Sequence, residues 1–184
     1  MSIRTSVVPV AEIFHLRWSV LRPGLPREAA NYPQDGLAGV FHVAAYAEAA
    51  PDGAVPPGPL VGRDPLAGPG RLLAADRPLA CMTAFPSPLP AAATEITGPV
   101  AGAEAGACHQ FRGLASDPAV RGQGYGVAVL RAGLAEAAAR GARWAWCNGR
   151  TGARGFYERE GFTAVGEEFD LAPSGRHLIF VSKL

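Results

Sequence analysis

Apolar and polar positions alternate between two periods along this chain, and the switching predicts a mixed order of strands and helices. Ser6 to Val10 is short and β-branched and reads as a first strand, bounded by Pro9. From Ala11 to Arg22, residues Ile13, Leu16, Trp18, Val20 and Leu21 gather largely on one helical side, which predicts a first helix. Pro23-Gly24 breaks it, and Leu25 to Gly36, with Pro26, Pro33 and Asp35-Gly36, reads as a short helix or loop. Gly39 to Tyr46 alternates enough for a second strand, and Leu79 to Phe85 for a third. Ala107 to Ser116 is a fourth strand, reached through a connection of small and polar residues around Pro86 to Gly106.

After the fourth strand the period changes. Val127, Leu130, Leu134 and Ala138 recur at spacings of three and four, with Arg131, Glu136 and Arg140 elsewhere on the wheel, so an amphipathic helix runs from Tyr125 to a stop at Gly141. Ala142 to Cys147 is a fifth strand, and Gly152 to Glu160 a short helix ended by Gly161. Thr163 to Leu171 and His177 to Lys183 are two closing strands. No repeat period is visible, and the order describes one mixed sheet flanked by helices.

Composition alters this picture in one place. There are 23 Gly and 17 Pro among 184 residues, and most of the surplus falls between 48 and 76, in runs such as Val55-Pro56-Pro57-Gly58-Pro59. Such a segment buries little, and the expectation is a mobile surface loop within a single domain spanning 1–184. With 17 Lys and Arg against 16 Asp and Glu, the formal net charge is +1, so no global field favours nucleic acid or an anionic membrane. Cys81, Cys108 and Cys147 are odd in number, widely spaced and set among apolar residues, which argues against a disulfide framework and a zinc site and for buried free thiols. Met1 to Thr5 does not open a secretory pattern, and no run of about 18 apolar residues could span a bilayer. These features predict a cytoplasmic protein without a metal.

The candidate chemistry lies where the fourth strand gives way to the long helix, at Arg121-Gly122-Gln123-Gly124-Tyr125-Gly126. Glycines let backbone amides approach a ligand, and the first amides of a helix have no intrahelical partner. The helix macrodipole adds roughly 0.3–1 kcal/mol for an anion there. A pyrophosphate would suit this loop, and so would a plain turn with close packing. The dinucleotide fingerprint fails because Val127 stands where its third glycine is needed, and no Gly-Lys-Ser/Thr follows for a P-loop.

Two motifs decide between these readings. Arg121-x-x-Gly124-x-Gly126 resembles the acetyl-CoA motif Gln/Arg-x-x-Gly-x-Gly/Ala of the GNAT superfamily of N-acetyltransferases. Downstream, Asn148-Gly149-Arg150-Thr151-Gly152-Ala153-Arg154-Gly155-Phe156-Tyr157-Glu158-Arg159-Glu160-Gly161-Phe162 is similar to that family's Asn-Ala-Arg-x-x-Ala-x-x-Phe-Tyr-x-x-x-Gly-Phe, with Gly149 replacing the common Ala. The resemblance covers 107 to 162 well. Leu16 to Gly24 looks more loosely like the first helix of a subgroup of small bacterial members whose acceptors are unassigned.

The resemblance implies an α/β (α+β) fold whose mixed, mostly antiparallel central sheet of about seven strands is flanked by helices and splayed at strands four and five. It implies acetyl-CoA as co-substrate, with Leu114, Ala115 and Ser116 offering backbone groups to the pantetheine arm. Arg121, Gly122, Gln123, Gly124, Tyr125 and Gly126 would hold the pyrophosphate, and Asn148 would contact CoA or simply satisfy the turn after it. Tyr157 takes the place of the family's general acid; its reference pKa of about 10 keeps it protonated, able to donate to a thiolate with a pKa of about 8.5. Otherwise its ring only packs the short helix on the sheet.

The general base is missing. A lysine amine, with a pKa of about 10.4, is almost wholly protonated at neutral pH, so something must take its proton. The positions where many relatives keep Glu or His match Gln110 and Arg112, neither of which is a base. His109 should point to the opposite face and be satisfied or exposed; His42 and His15 are weaker candidates. Water leading to a carbonyl or distant carboxylate would serve an α-amine, with a pKa near about 8. Arg112 could instead pair with a carboxylate on the acceptor or with an acidic neighbour. The expected activity is acetyl transfer from acetyl-CoA to a primary amine of a small molecule, by direct attack in a ternary complex, in a monomer or homodimer. The alternatives are a CoA-binding regulatory module without turnover and an acetyltransferase for protein N-termini or lysines.

Overall fold

The computed structural model describes residues 2–48, 77–97 and 107–184. The Pro/Gly-rich stretch read as a loop at 48–76 therefore lies outside the described residues from 49 onward, as does the part of the following connection between 98 and 106.

Among the described residues seven strands form one sheet: β1 (Ile3–Val8), β2 (Phe41–Ala47), β3 (Ala80–Pro86), β4 (Cys108–Ser116), β5 (Trp144–Arg150), β6 (Thr163–Asp170) and β7 (Arg176–Lys183). Their order is β1-β2-β3-β4-β5-β7-β6. Every neighbouring pair is antiparallel except β4 and β5. Those two are joined by helix α3 (Tyr125–Ala139), because parallel neighbours need a crossover long enough to bring the chain back. Helix α1 (Val10–Leu21) follows β1; a short helix α2 (Thr94–Thr97) precedes β4; α4 (Arg154–Arg159) follows β5.

The predicted elements are present, with differences that have local causes. The first strand ends before Pro9, not at Val10, because the Pro9 carbonyl already accepts from Glu12 and opens the helix. The loop-or-helix segment at 25–36 contains two 3-10 turns, Arg27–Ala30 and Pro33–Gly36. The fifth strand runs on to Arg150, since Asn148, Gly149 and Arg150 pair with Ile179, Leu178 and His177 of β7. The connection after Pro86 carries a 3-10 turn at Ala91–Ala93 leading into α2.

The buried faces of both long helices differ from the predicted ones. In α1 the buried positions are Ile13, Leu16 and Arg17, whereas Trp18 is half-buried, its indole N–H donating to the Leu25 carbonyl. In α3 the buried positions are Tyr125, Val129, Leu130, Gly133 and Ala137; of the predicted stripe Leu130 is among them and Leu134 packs partly buried against the core, whereas Ala138 is exposed. The small residues are what allow close approach: a Cβ at Gly133 would overlap the Met82 side chain of β3.

The helices cover opposite faces of the sheet. Alternate residues of the strands divide between a core under α3 and α4, with Phe41, Val43, Met82, Phe111 and Phe180, and a core under α1, with Ala44, Tyr46, Cys81 and Ala115. All three cysteines are free and buried.

Candidate active site

The parallel pair β4–β5 holds together for only three residue pairs, Cys108 with Trp144, His109 with Ala145 and Gln110 with Trp146. Both strands then continue, β4 to Ser116 and β5 to Arg150, without pairing to each other. The sheet therefore opens into a wedge whose apex is Phe111 on one side and Cys147 on the other. On its other side β4 is also interrupted: its register with β3 steps from Thr83–Arg112 to Cys81–Ala115, passing over Gly113 and Leu114. Gly113 takes φ +66, a conformation suited to a residue without Cβ at such a bulge. The edge of β4 facing the wedge from Phe111 to Ser116 thus presents backbone groups free of strand partners, a surface that an extended ligand can pair with.

At the far end of β4, a 3-10 turn at Pro118–Val120 leads into Arg121–Gly124 and then α3. Asp117 fixes the turn by accepting from the Ala119 amide at 2.9 Å. Gly122 and Gly124 have φ +78 and +90, values that side chains with a Cβ resist. The first helical bond of α3 runs from the Ala128 amide to the Gly124 carbonyl, so the amides of Tyr125, Gly126 and Val127 lie ahead of the ladder. A Cβ at Gly122 would meet nothing within 4 Å, while one at Gly126 would come 3.1 Å from the Ser116 hydroxyl oxygen. The loop is open above and tight against β4 below, which fits an anion resting on backbone amides.

Tyr157 reaches the apex from α4. Its ring stacks on Phe180 with centroids 4.6 Å apart and stands 6.2 Å from Phe111, and only 7% of the residue is exposed. Its hydroxyl shares a hydrogen bond with the Cys147 thiol. Burial first, and then the neighbouring sulfur, push the hydroxyl well above its ordinary pKa, so it is protonated throughout the working range. Burial likewise raises Cys147 beyond any useful reactivity. Gly149 makes this arrangement possible, because a Cβ there would overlap the Tyr157 ring and lie 2.7 Å from Phe180. Asn148, one residue past the apex, is exposed, with its backbone paired to Ile179.

On the α1 face, β2, β3 and β4 place His42, Thr83 and Arg112 in one row. His42 and Thr83 are buried, and the His42 Nδ1 lies 2.9 Å from the Thr83 hydroxyl. Above the row, Arg17 is fully buried and donates to both carboxylate oxygens of Asp35, to Thr83 and to the Ala30 carbonyl. Arg112 donates to Gln34 at 2.8 Å and lies over the Tyr32 ring, as Arg17 does too. Gln110 lies two residues from Arg112, half-buried, at the last β4–β5 pair. Sequence reasoning had singled out His42 and Arg112 but not the side chains that join them. One signal was available: Ile13, Leu16, Arg17 and Val20 follow the i, i+3, i+4, i+7 spacing of a buried stripe, with a cation in one of its slots.

His109 lies on the opposite face from Arg112, as alternation requires. It is neither exposed nor satisfied: it is buried beside Phe41, 6.0 Å away, and neither ring nitrogen has a partner among the described residues. Burial, and then Arg140, lower its pKa. Among the described residues there is no cluster of three or more His, Cys, Asp or Glu side chains that could hold a metal, and no helix long and apolar enough to cross a membrane.

Residues 91–164 match the family model described as "Acetyltransferase (GNAT) domain". Over 182 residues, 99% of this chain and 97% of the relative, the sequence is 22% identical to YitI of Bacillus subtilis strain 168, a curated but uncharacterized N-acetyltransferase. Among solved structures, a Lactobacillus plantarum protein assigned as an N-acetyltransferase superposes with a TM-score of 0.67 at 16% identity, covering 100% of this chain and 99% of that one. An acyl-CoA N-acyltransferase from Pseudomonas aeruginosa does so with a TM-score of 0.58 at 16% identity, over 98% and 99%. At such identities the structural likeness shows the fold.

Proposed function

We propose that this chain, which belongs to the GNAT superfamily of N-acetyltransferases, moves an acetyl group from acetyl-CoA to a primary amine of a small molecule, as one domain over 1–184. The observation that carries the reading is the wedge between β4 and β5, open from Phe111 and Cys147 onward, with a backbone anion cradle at its wide end and a tyrosine hydroxyl at its apex.

The family uses acyl-CoA donors, and the co-substrate supplies a thioester activated toward amines. The unpaired edge of β4 at Leu114, Ala115 and Ser116 binds the pantetheine arm by strand-like hydrogen bonds. The amides of 122–126, with Arg121, hold the pyrophosphate, favoured by the end of the α3 dipole. Asn148 lines the β5 side of the wedge.

Tyr157 stabilises the leaving sulfur. A thiolate with a pKa near about 8.5 does not fully deprotonate a tyrosine whose own pKa is raised, so the hydroxyl acts chiefly as a hydrogen-bond donor to developing charge. In the resting protein that donor is held by Cys147, a weak acceptor it exchanges at little cost. The α1 face receives the acceptor beside Gln110, Arg112 and His42. His42 is neutral at pH 7, because burial lowers its pKa more than Asp35 raises it. An acceptor amine of low pKa, arriving partly neutral, makes the smallest demand on a base.

Titration calorimetry with acetyl-CoA, followed by thiol release against a panel of amines, tests the reading. Binding together with amine-dependent thiol release supports it. No binding overturns it at its core, and binding without release on any amine makes the chain a CoA-binding module.

A further inference from the structure

Among the described residues no carboxylate is bonded to Arg112. Its one bonded partner among the described residues is the neutral Gln34 side-chain oxygen, 2.8 Å from its Nη1, although a guanidinium carries five N–H donors. The nearby carboxylate is spoken for: Asp35 is held by both terminal nitrogens of Arg17 and also accepts from the Tyr32 amide. Partial burial strips it of water, and Arg22 and Arg17 add like charge, while Tyr32 and Asp35 act in the opposite sense without bonding to it. A half-buried guanidinium in that setting is normally matched by a carboxylate.

The rest of the cluster holds Arg112 in place. Two guanidinium carbons lie over the Tyr32 ring, Arg17 at 4.2 Å and Arg112 at 4.0 Å from its centroid. Gly113 admits that ring against β4, where a Cβ would come 3.0 Å from Tyr32 Cε2. The guanidinium is therefore held by the ring and by Gln34 before any ligand arrives, and its open N–H groups suit the two oxygens of a carboxylate. Its position is apt as well. Arg112 stands one residue beyond the wedge apex on β4, on the face opposite α3, so a group bound there leaves its neighbour free to reach into the wedge.

From these observations we infer that the acceptor is a small amine that also carries a carboxylate, and that Arg112 binds this carboxylate while the amine faces the wedge. The inference rests on the reading of the wedge as the acyl-CoA site. It narrows the acceptors to amino acids and their analogues and sets aside polyamines and simple aralkylamines. No covalent step involves Arg112, which is a binding residue.

The test compares matched pairs at fixed acetyl-CoA: free amino acids against their carboxamides, β-alanine against ethylamine, and phosphoethanolamine to separate a phosphate from a carboxylate. The carboxylated member is expected to have a kcat/KM at least about tenfold higher, as a charge-assisted pair implies. Arg112→Gln should abolish that preference through KM, Arg112→Lys should retain part of it, and the KM for acetyl-CoA should not follow either change. Equal rates on both members, a preference for phosphoethanolamine or polyamines, or an equal loss on both members in Arg112→Gln would overturn the inference. So would binding of acetyl-CoA with acetylation of no carboxylated amine, an outcome that leaves the donor site standing. Failure to bind acetyl-CoA strikes instead at the function on which the inference rests. The wild-type comparison alone decides the matter should either variant fail to fold.

Discussion

The two faces of the sheet at β4 are built from different materials. Under α3 and α4 the strand meets apolar side chains, and the surface proposed to hold the donor is backbone: an unpaired edge, a glycine turn and the leading amides of a helix. Under α1 the same strand meets a polar network in which Arg17, Asp35, Thr83, His42, Tyr32, Gln34 and Arg112 come from five separate parts of the chain. A donor site common to many enzymes can be made of amides, which every residue has. An acceptor site that distinguishes one amine from another needs side chains, and each must be held by another.

The contrast is most exposed to attack at Arg17. Arg17→Met strands Asp35 and removes the donor to Thr83, so urea unfolding should show a loss of about 3–5 kcal/mol. A cost under about 1 kcal/mol would mean that the α1 face is not organised by this pair.

Tyr157→Phe probes the other face at nearly the same scale. The ring stack on Phe180 is kept and only the hydroxyl is lost, so turnover should fall about a hundredfold with acetyl-CoA affinity within about twofold. Unchanged turnover would leave Tyr157 a packing residue and the α4 face without a side chain in the chemistry.

Gly149→Ala should cost about 1–3 kcal/mol in unfolding free energy by overpacking the Tyr157–Phe180 stack. Turnover should drop with it, because the ring is displaced from the apex. A stable, fully active variant would show that the seat of Tyr157 does not depend on the missing Cβ.

The smallest effect concerns pH and touches both faces. His42 on the α1 face and His109 on the α3 face both have folded pKa values lowered chiefly by burial. Below the unfolded value of about 6.5 the unfolded chain then binds more protons than the folded one, so stability is present above that pH and lost as pH falls through it. Urea midpoints between pH 7.5 and 5 should decline, and His109→Leu should decline less steeply than His42→Gln, because His109 has no hydrogen-bond partner among the described residues. A flat profile would mean that both rings are hydrated in solution.

Much of the proposed donor side is made of segments legible before any coordinates. The Arg121–Gly126 turn, the Asn148–Phe162 signature and the order of strands around them are runs of adjacent residues, and turn chemistry and helix period are local properties. Where local reading slipped, packing had overruled it. The α3 stripe was drawn through the larger apolar residues, but an alanine-rich helix approaches a sheet most closely through its smallest ones, and Gly133 and Ala137 turned inward. The α1 stripe excluded Arg17 because a cation is ordinarily assigned to solvent.

By itself, then, the sequence determined the elements and their order along the chain, and a loop able to hold an anion. Tertiary structure decided where the wedge begins, just past the Gln110–Trp146 pair, since that depends on how far two distant strands remain paired. It also decided what Tyr157 touches, and that Arg17 satisfies Asp35 across 18 residues and Thr83 across 66. The reason is physical: backbone preferences act over a few neighbouring residues, whereas the pairing of buried side chains is set only once the chain has folded and water has been excluded from between them.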